Sequence, residues 1–292
     1  MANVKTNFEY HVPSSLSETL DLMSQYKDDC KVIAGGTDLI PKLKAGIAKF
    51  SHMISLKNID ELKKITFDPK AGITIGANVD LRTTEANEYV QKYYPALYTG
   101  MHSMANTQIR NRGTIVGNIC NAVPSADTAP ALIVYGAEVK ILSKERGERI
   151  VPIDEFFTGV CKTVLEPDEL VTEIFIPLPD ENASSVYYKY AIRKALDLAM
   201  IGVASNITVD EDMVVQKAKI ALGAVAVIPK RAEKTEAMIL GQKLTDDLIL
   251  KAAKTAGEED CAPISDIRAT AEYRRKMVTV HVRDALRKVV GE

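Results

Sequence analysis

Around Pro177-Leu178-Pro179-Asp180-Glu181-Asn182 the chain changes character. Proline and polar residues cluster there and the hydrophobic pattern resets on either side, as at a linker. Before it, short apolar runs alternate with helix-like stretches. Lys31-Val32-Ile33-Ala34, Met53-Ile54-Ser55-Leu56, Ile73-Thr74-Ile75-Gly76, Ala137–Leu142 and Leu170–Ile176 read as strands. Ser15-Leu16-Ser17-Glu18 has capping-box form, and Leu16, Leu20 and Met23 follow at helical spacing, which predicts a helix over 16–26. Residues 80–105 also read as helical, with Pro95 inside them. Asn111–Asp127, rich in Gly, Asn, Ser and Thr, reads as irregular, and such stretches inside a compact domain are often functional. Beyond the linker come strand-like runs at 186–192, 200–208 and 214–224, then helix-like segments at 231–240, 245–256 and 269–290. Gly241 and Gly257 stand where terminating glycines would end two of them. Strands followed by helices imply an α+β second domain. The 292 residues thus divide into two expected domains, 1–178 and 183–290.

The chain is 46% apolar and 26% charged with a net charge of −2, so no basic field points to nucleic acid or an anionic membrane. No apolar run approaches the roughly 18 residues that span a bilayer. The opening MANVKTNFEYHVPSS has no apolar core of a secretory signal, and the expected location is the cytoplasm. The four cysteines, Cys30, Cys120, Cys161 and Cys261, are far apart in sequence. Zinc and iron–sulfur sites usually take thiolates at C-x₂₋₄-C spacing, so these read as small buried hydrophobes, and no metal site is expected.

Two stretches could carry chemistry. In Lys31 to Asp38, KVIAGGTD, a strand runs into two glycines. Such a turn can present backbone N–H groups to phosphate oxygens, with Thr37 adding a hydroxyl, or it can be an ordinary turn that needs glycine. It is neither a G-x-G-x-x-G fingerprint nor a P-loop. In Thr107 to Asp127, Gly113 and Gly117 bracket Thr114, and Asn118, Asn121, Ser125 and Asp127 are short polar groups. These could brace a loop, with Arg110 and Arg112 solvated, or meet a ligand. Two separated glycine loops could grip both ends of a dinucleotide pyrophosphate. His102 reads as a surface or satisfied core histidine and Glu166–Glu169 as a polar turn. Arg274 and Arg275 suit a solvated helix face as well as a partner surface. No nucleophile–base pair is visible, which leaves hard chemistry to a cofactor.

AGGTD at 34–38, QIRNRGTIVGNICN at 108–121 and SADTAP at 125–130 resemble the FAD-binding loops of the flavoprotein subunits of molybdenum hydroxylases, the xanthine dehydrogenase and carbon monoxide dehydrogenase kind. FFTGVCKTVLEPDELVTEIFIP at 156–177, YYKYAIRKALDLAMIGVA at 187–204 and EYRRKMVTVHVRDAL at 272–286 resemble later segments of the same subunits, in the same order. GNICNA and SAD are most similar to the wording of stand-alone bacterial xanthine dehydrogenase FAD subunits. The resemblance implies a two-lobed α+β FAD-binding domain of the vanillyl-alcohol-oxidase-like (PCMH) type, then a smaller α+β domain covering the flavin. It implies that Lys31, Val32, Ile33, Ala34, Gly35, Gly36, Thr37 and Asp38 wrap the FAD pyrophosphate. Thr114, Ile115, Val116, Gly117 and Asn118 would form a second phosphate and ribityl loop, with Val116 where many relatives carry glycine. Asp127 would bond sugar or ribityl hydroxyls, Leu170 would pack beside the adenine, and Lys189 would approach the flavin ring. Met104 stands where some relatives set an aromatic residue over the isoalloxazine. The implied partners are a [2Fe–2S] small subunit and a molybdopterin large subunit, with NAD⁺ or another acceptor taking the electrons. No catalytic residue is expected in this chain. A self-sufficient flavin reductase or oxidase, or a scaffold that has lost its ligand, would use the same fold.

Overall fold

A computed structural model describes residues 7–193 and 196–291. Met1–Thr6 of the N-terminal reading, and Lys194 and Ala195 within the 187–204 segment, lie outside the described residues. The chain opens on a small parallel sheet of β1 (Glu9–His11), β2 (Cys30–Ile33) and β3 (His52–Ser55), in the order β1-β3-β2. Helix α1 (Leu16–Tyr26) covers it and α2 (Leu39–Lys44) follows β2. Ser15 caps α1 as expected, its Oγ accepting from the Glu18 N–H at 3.2 Å. The Glu18 carboxylate reaches back one residue further than a capping box requires, to the N–H of Ser14 at 2.8 Å.

A five-stranded antiparallel sheet stands next, in the order β4-β5-β10-β6-β7. Its strands are β4 (Ile65–Asp68), β5 (Gly72–Gly76), β6 (Glu138–Ser143), β7 (Gly147–Pro152) and β10 (Glu169–Pro177), and the hairpin β8 (Phe157–Gly159) with β9 (Lys162–Thr163) precedes the last. Six helices lie between β5 and β6. They are α3 (Leu81–Ala86), α4 (Glu88–Tyr93), α5 (Pro95–His102), α6 (Thr107–Arg110), α7 (Ile115–Asn121) and α8 (Ala129–Tyr135), and the short α9 (Ile153–Phe156) follows β7. The stretch 80–105 is therefore not one helix. Asn87 turns the chain out by bonding the N–H groups of Tyr89 and Val90 at 3.0 and 3.2 Å, and Pro95 starts α5 afresh at its first position. Nor is Asn111–Asp127 irregular throughout. Thr114 caps α7, accepting from the Gly117 N–H at 2.8 Å, and Ile115, Val116 and Ile119 bury one face of it.

After the loop at 178–182, β11 (Ala183–Tyr190), β12 (Ile201–Val209), β13 (Val215–Gly223) and β14 (Lys230–Arg231) form an antiparallel sheet in chain order. Helices α10 (Glu233–Ile239), α11 (Asp246–Thr255) and α12 (Ala271–Val289) complete an α+β fold. This sheet is buried on both faces. Val203, Ile207, Ile220 and Leu222 pack with α10–α12 in one core, whereas Tyr187, Ala204 and Ala221 join the larger core of the preceding segment. The closest approaches use glycine. A Cβ on Gly202 would stand 2.7 Å from the Tyr187 hydroxyl, and one on Gly223 2.9 Å from Pro130 Cγ.

Gly241 has φ +71° just past α10, as a terminating glycine should. Gly257 does not end α11. The chain runs on into a π-helical turn, Ala256–Asp260, and glycine is needed because a Cβ would meet Thr279 Oγ1 at 2.2 Å and the Arg275 carbonyl at 2.7 Å. Arg274 and Arg275 are neither solvated nor free for a partner. Arg274 is buried, donating to the carbonyls of Met200 and Ala224 at 2.9 and 3.1 Å and to Asp266 at 2.8 Å. Arg275 donates to the carbonyls of Gly257, Glu258 and Cys261 and so closes the π-turn. Glu166–Glu169 forms the expected turn, the Glu169 N–H donating to the Glu166 carbonyl at 3.0 Å, but Asp168 and Glu169 are buried in it against Arg146 and Arg149.

The two glycines should respond differently to alanine. Gly257→Ala forces overpacking against α12 and is expected to cost about 1–3 kcal/mol. Gly241→Ala meets no atom and costs the left-handed backbone alone, about 1–2 kcal/mol. Adding Thr279→Ala should recover part of the first loss and none of the second, as read by urea denaturation. Equal response of both would refute the assignment.

Candidate functional site

The two glycine-rich stretches meet in space. β2 delivers the loop 34–38, and a Cβ on Gly35 would lie 1.8 Å from the Arg112 carbonyl oxygen, so backbone packs on backbone there. Gly36 has φ +73°, the conformation in which glycine alone is unstrained. Across the junction, Lys42 of α2 hydrogen-bonds Asn121 at the end of α7. Among the described residues, no acceptor is found for the backbone N–H groups of Gly35, Gly36 and Thr37.

These loops line a cavity of about 680 Å³, within the roughly 300–1,000 Å³ of small-molecule sites. All eight residues from Lys31 to Asp38 border it, as do Met104, Thr114, Gly117, Asn118 and Asp127. Four expected site residues do not. Ile115 and Val116 point from α7 into the core, and Leu170 is buried within β10. Lys189 stands behind the wall, bonded to Asp127. Sequence reasoning missed the wall supplied by Leu196, Asp197 and Leu198, which arrives from the loop between β11 and β12. It also missed Lys42, Ile109 and Val123. The glycine pattern pointed to the neighbourhood of the last two, but nothing local marked the 196–198 loop as part of the site.

Asp127 carries the strongest electrostatics. It is buried, accepting from the Tyr187 hydroxyl at 3.0 Å and the Lys189 ammonium at 2.8 Å, and Lys189 also donates to the Ser103 carbonyl at 3.1 Å. Burial pushes the Asp127 carboxyl above its ordinary range, with Lys189 and Tyr187 pulling it back only in part. Burial, reinforced by the Asp127 charge, pushes the Tyr187 phenol well above its usual value. Asp127 thus spends its charge on β11 before any ligand arrives.

A second polar knot holds the segment that carries Met104. Arg110, for which solvation was one of two readings, is buried. It donates Nε to Glu85 at 3.1 Å and Nη1 to the Met104 carbonyl at 2.9 Å. His102, with its side chain 62% exposed, meets the same Glu85 at 2.7 Å. Burial raises the Glu85 carboxyl, but the hydrogen bond from His102 and the charge of Arg110 outweigh it and hold it below the usual range. Cys120 and Cys161 border the cavity, whereas Cys30 and Cys261 are buried elsewhere. Contrary to expectation, side chains able to hold a metal ion do converge, but they are Glu9, His11 and His52 rather than cysteines.

Residues 6–179 match the family described as the FAD binding domain in molybdopterin dehydrogenase, and residues 186–289 match the CO dehydrogenase flavoprotein C-terminal domain. The chain is 32% identical over 283 residues to a putative xanthine dehydrogenase FAD-binding subunit of Escherichia coli, covering 97% of this chain and 96% of that one. A solved carbon monoxide dehydrogenase from Hydrogenophaga pseudoflava superposes with a TM-score of 0.91 at 33% identity, covering 96% of each chain. Quinoline 2-oxidoreductase from Pseudomonas putida superposes with a TM-score of 0.89 at 28% identity, covering 97% of this chain and 96% of that one.

Removing the ammonium alone should expose the cost of the buried carboxylate. Lys189→Met is expected to destabilise the fold by about 3–5 kcal/mol. An acid whose folded pKa lies above its unfolded one stabilises most below the unfolded value and loses that as pH rises through the folded one. The loss should therefore grow from mildly acidic to neutral buffer. The double variant Asp127→Asn with Lys189→Met should recover much of it. Denaturation at several pH values measures both, and a pH-independent loss would refute the assignment.

Proposed function

Since the chain belongs to the FAD-binding subunit family of the molybdopterin-dependent hydroxylases and dehydrogenases, we propose that it holds one non-covalent FAD in the cavity between its glycine loops. The observation that carries this reading is the open row of amides at Gly35, Gly36 and Thr37 on a cavity wall. Such a nest suits a pyrophosphate, which brings many acceptors and little need for cationic side chains. Residues 31–38 would hold the pyrophosphate, with Thr114, Gly117 and Asn118 supplying the second loop. Met104 would stand against the flavin, kept in place by the Arg110 hydrogen bond to its carbonyl.

FAD, when bound, would supply reversible electron uptake and release between [2Fe–2S] clusters on a small subunit and NAD⁺ or another acceptor. A large molybdopterin subunit would oxidise the substrate. The work of this chain is to bind, orient and shield. The Leu196–Leu198 loop adds a wall from the second half of the chain, the far side, and would help to keep water from a bound cofactor. The Asp127–Lys189 pair fixes that far side relative to the glycine loops. Functionally the chain divides into an FAD domain, 1–178, and a covering domain, 183–290. Four unpaired cysteines suit a reducing compartment, and we assign the complex to the cytoplasm. No described helix is long and apolar enough to cross a membrane.

Two measurements test the reading. Gly35→Ala drives a methyl into the Arg112 carbonyl and should separate the loops, weakening FAD by about tenfold or more, some 1.4 kcal/mol per decade. Gly117→Ala meets the Thr114 hydroxyl at 3.0 Å and nothing else, so its effect should be smaller. Flavin fluorescence titration ranks them, and parent-like affinity in Gly35→Ala would demote the loop to a mere turn. The FAD-loaded chain alone should exchange electrons with NADH or a dye yet show no turnover of purines, nicotinate or carbon monoxide. Substrate-dependent dye reduction at a rate comparable to that of the full complex would favour a self-sufficient flavoenzyme.

A further inference from the structure

The small parallel sheet gathers three metal-binding side chains outside the cavity. β1 and β3 pair in register Glu9↔His52 and His11↔Ile54, so Glu9, His11 and His52 emerge on one face of adjacent strands. His11 Nε2 lies 3.0 Å from His52 Nδ1, and Glu9 Oε2 lies 3.6 Å from His52 Nδ1 and 4.0 Å from His11 Nε2. Both imidazoles are largely buried, with side chains 13% and 18% exposed, whereas Glu9 is 66% exposed and free to swing inward. Tyr26 of α1 stacks on His52 at 3.6 Å between ring centroids, tilted by only 13°, which fixes that ring's plane.

We propose that Glu9, His11 and His52 form a three-ligand site for a borderline divalent cation of the zinc class, with solvent in the fourth position. Nitrogen ligands sit about 2.0–2.1 Å from zinc, so two of them in a tetrahedron stand about 3.3 Å apart. The imidazole pair must open by only a few tenths of an ångström. The carboxylate must close somewhat further, from 4.0 Å to His11 and 3.6 Å to His52, which its exposure permits. Both facing nitrogens offer lone pairs once the ring protons occupy His11 Nδ1 and His52 Nε2. Two imidazoles and one carboxylate favour zinc over magnesium or calcium, which prefer all-oxygen shells. The ion would clamp β1, a three-residue edge strand, to β3 at the centre of the sheet. β2, on the other side of β3, leads directly into the 34–38 loop.

The test uses the purified full chain stripped with a chelator and returned to micromolar zinc. It should retain one equivalent after gel filtration, and cobalt in its place should show the visible bands of a low-coordinate site. Zinc should also raise the thermal midpoint. Glu9→Gln, a surface change that leaves the fold intact, should hold zinc more weakly. His11→Gln should lose both the equivalent and the midpoint rise, with a chelator-treated midpoint and circular dichroism near those of the parent. A parent chain that retains no zinc overturns the proposal and leaves an imidazole–imidazole hydrogen bond. Retention unchanged in His11→Gln overturns it equally, because the ion then sits elsewhere.

Discussion

The bond between Asp127 and Lys189 decides how the molecule is put together. Asp127 follows the second glycine loop, Lys189 sits on β11 beyond the linker, and the two meet at 2.8 Å with side chains 7% and 10% exposed. A buried charge without its partner costs several kcal/mol, so neither half can move off the other without exposing or orphaning one. Tyr187 adds a hydrogen bond to the same carboxylate, and Lys189 ties in the carbonyl of Ser103. Two residues of β11 and two from loops ahead of the linker thus lock the first part of the chain to the sheet behind it. The composition at 177–182 reads as a linker between two domains, and this contact packs the second against the first.

Close backbone approach does the rest. Around the lock, a Cβ on Gly100 would stand 2.9 Å from the Asp127 carbonyl, and Gly202 accommodates the Tyr187 ring. Gly35 lets the first glycine loop rest on the carbonyl of Arg112. Here glycine matters less for turning the chain than for letting two backbones touch. The same explains Gly257 against α12. Read from sequence, a glycine near a helix end suggests a terminator. Only the packing distinguishes Gly241, with open space and positive φ, from Gly257, with a neighbouring helix pressed on it.

The legible parts of the fold were those encoded locally. Ser15 and the Leu16–Leu20–Met23 spacing defined α1 to the residue, and the strands around 31–34, 73–76 and 201–209 lie within a few positions of their expected bounds. Helix breaks at Asn87 and Pro95 were legible too, but the apolar periodicity on either side masked them. In 111–127 the polar composition hid α7, although Thr114 and the Ile115, Val116, Ile119 stripe were there to read. Long-range pairings left no local mark. Arg110 and Arg274 look like surface residues in sequence, and only the carbonyls and carboxylates folded around them make them buried keystones. His11 and His52 are 41 residues apart and meet because β1 and β3 happen to be neighbours. The candidate cavity was legible on its glycine side for the same local reason, and illegible at Leu196–Leu198, which reaches it by tertiary contact.

The lock has a thermodynamic consequence for the cavity. One wall comes from the glycine loops and the opposite wall from the loop after β11, so a ligand filling it touches both halves of the chain. In many two-domain sites the ligand must draw the walls together, and part of its binding energy is spent on closure. Here Asp127, Tyr187 and Lys189 hold the walls in place through contacts that involve no ligand. The ordering cost falls on folding, where it is shared with the buried sheet between the two cores. A cofactor meeting a preassembled cavity keeps more of its interaction energy as affinity. Any molecule that binds the native form alone then stabilises both halves together, by an amount that grows with the logarithm of its concentration over its dissociation constant. Weakening the lock should therefore lower cofactor affinity even where the substituted side chain touches no ligand, because closure would again have to be driven by binding.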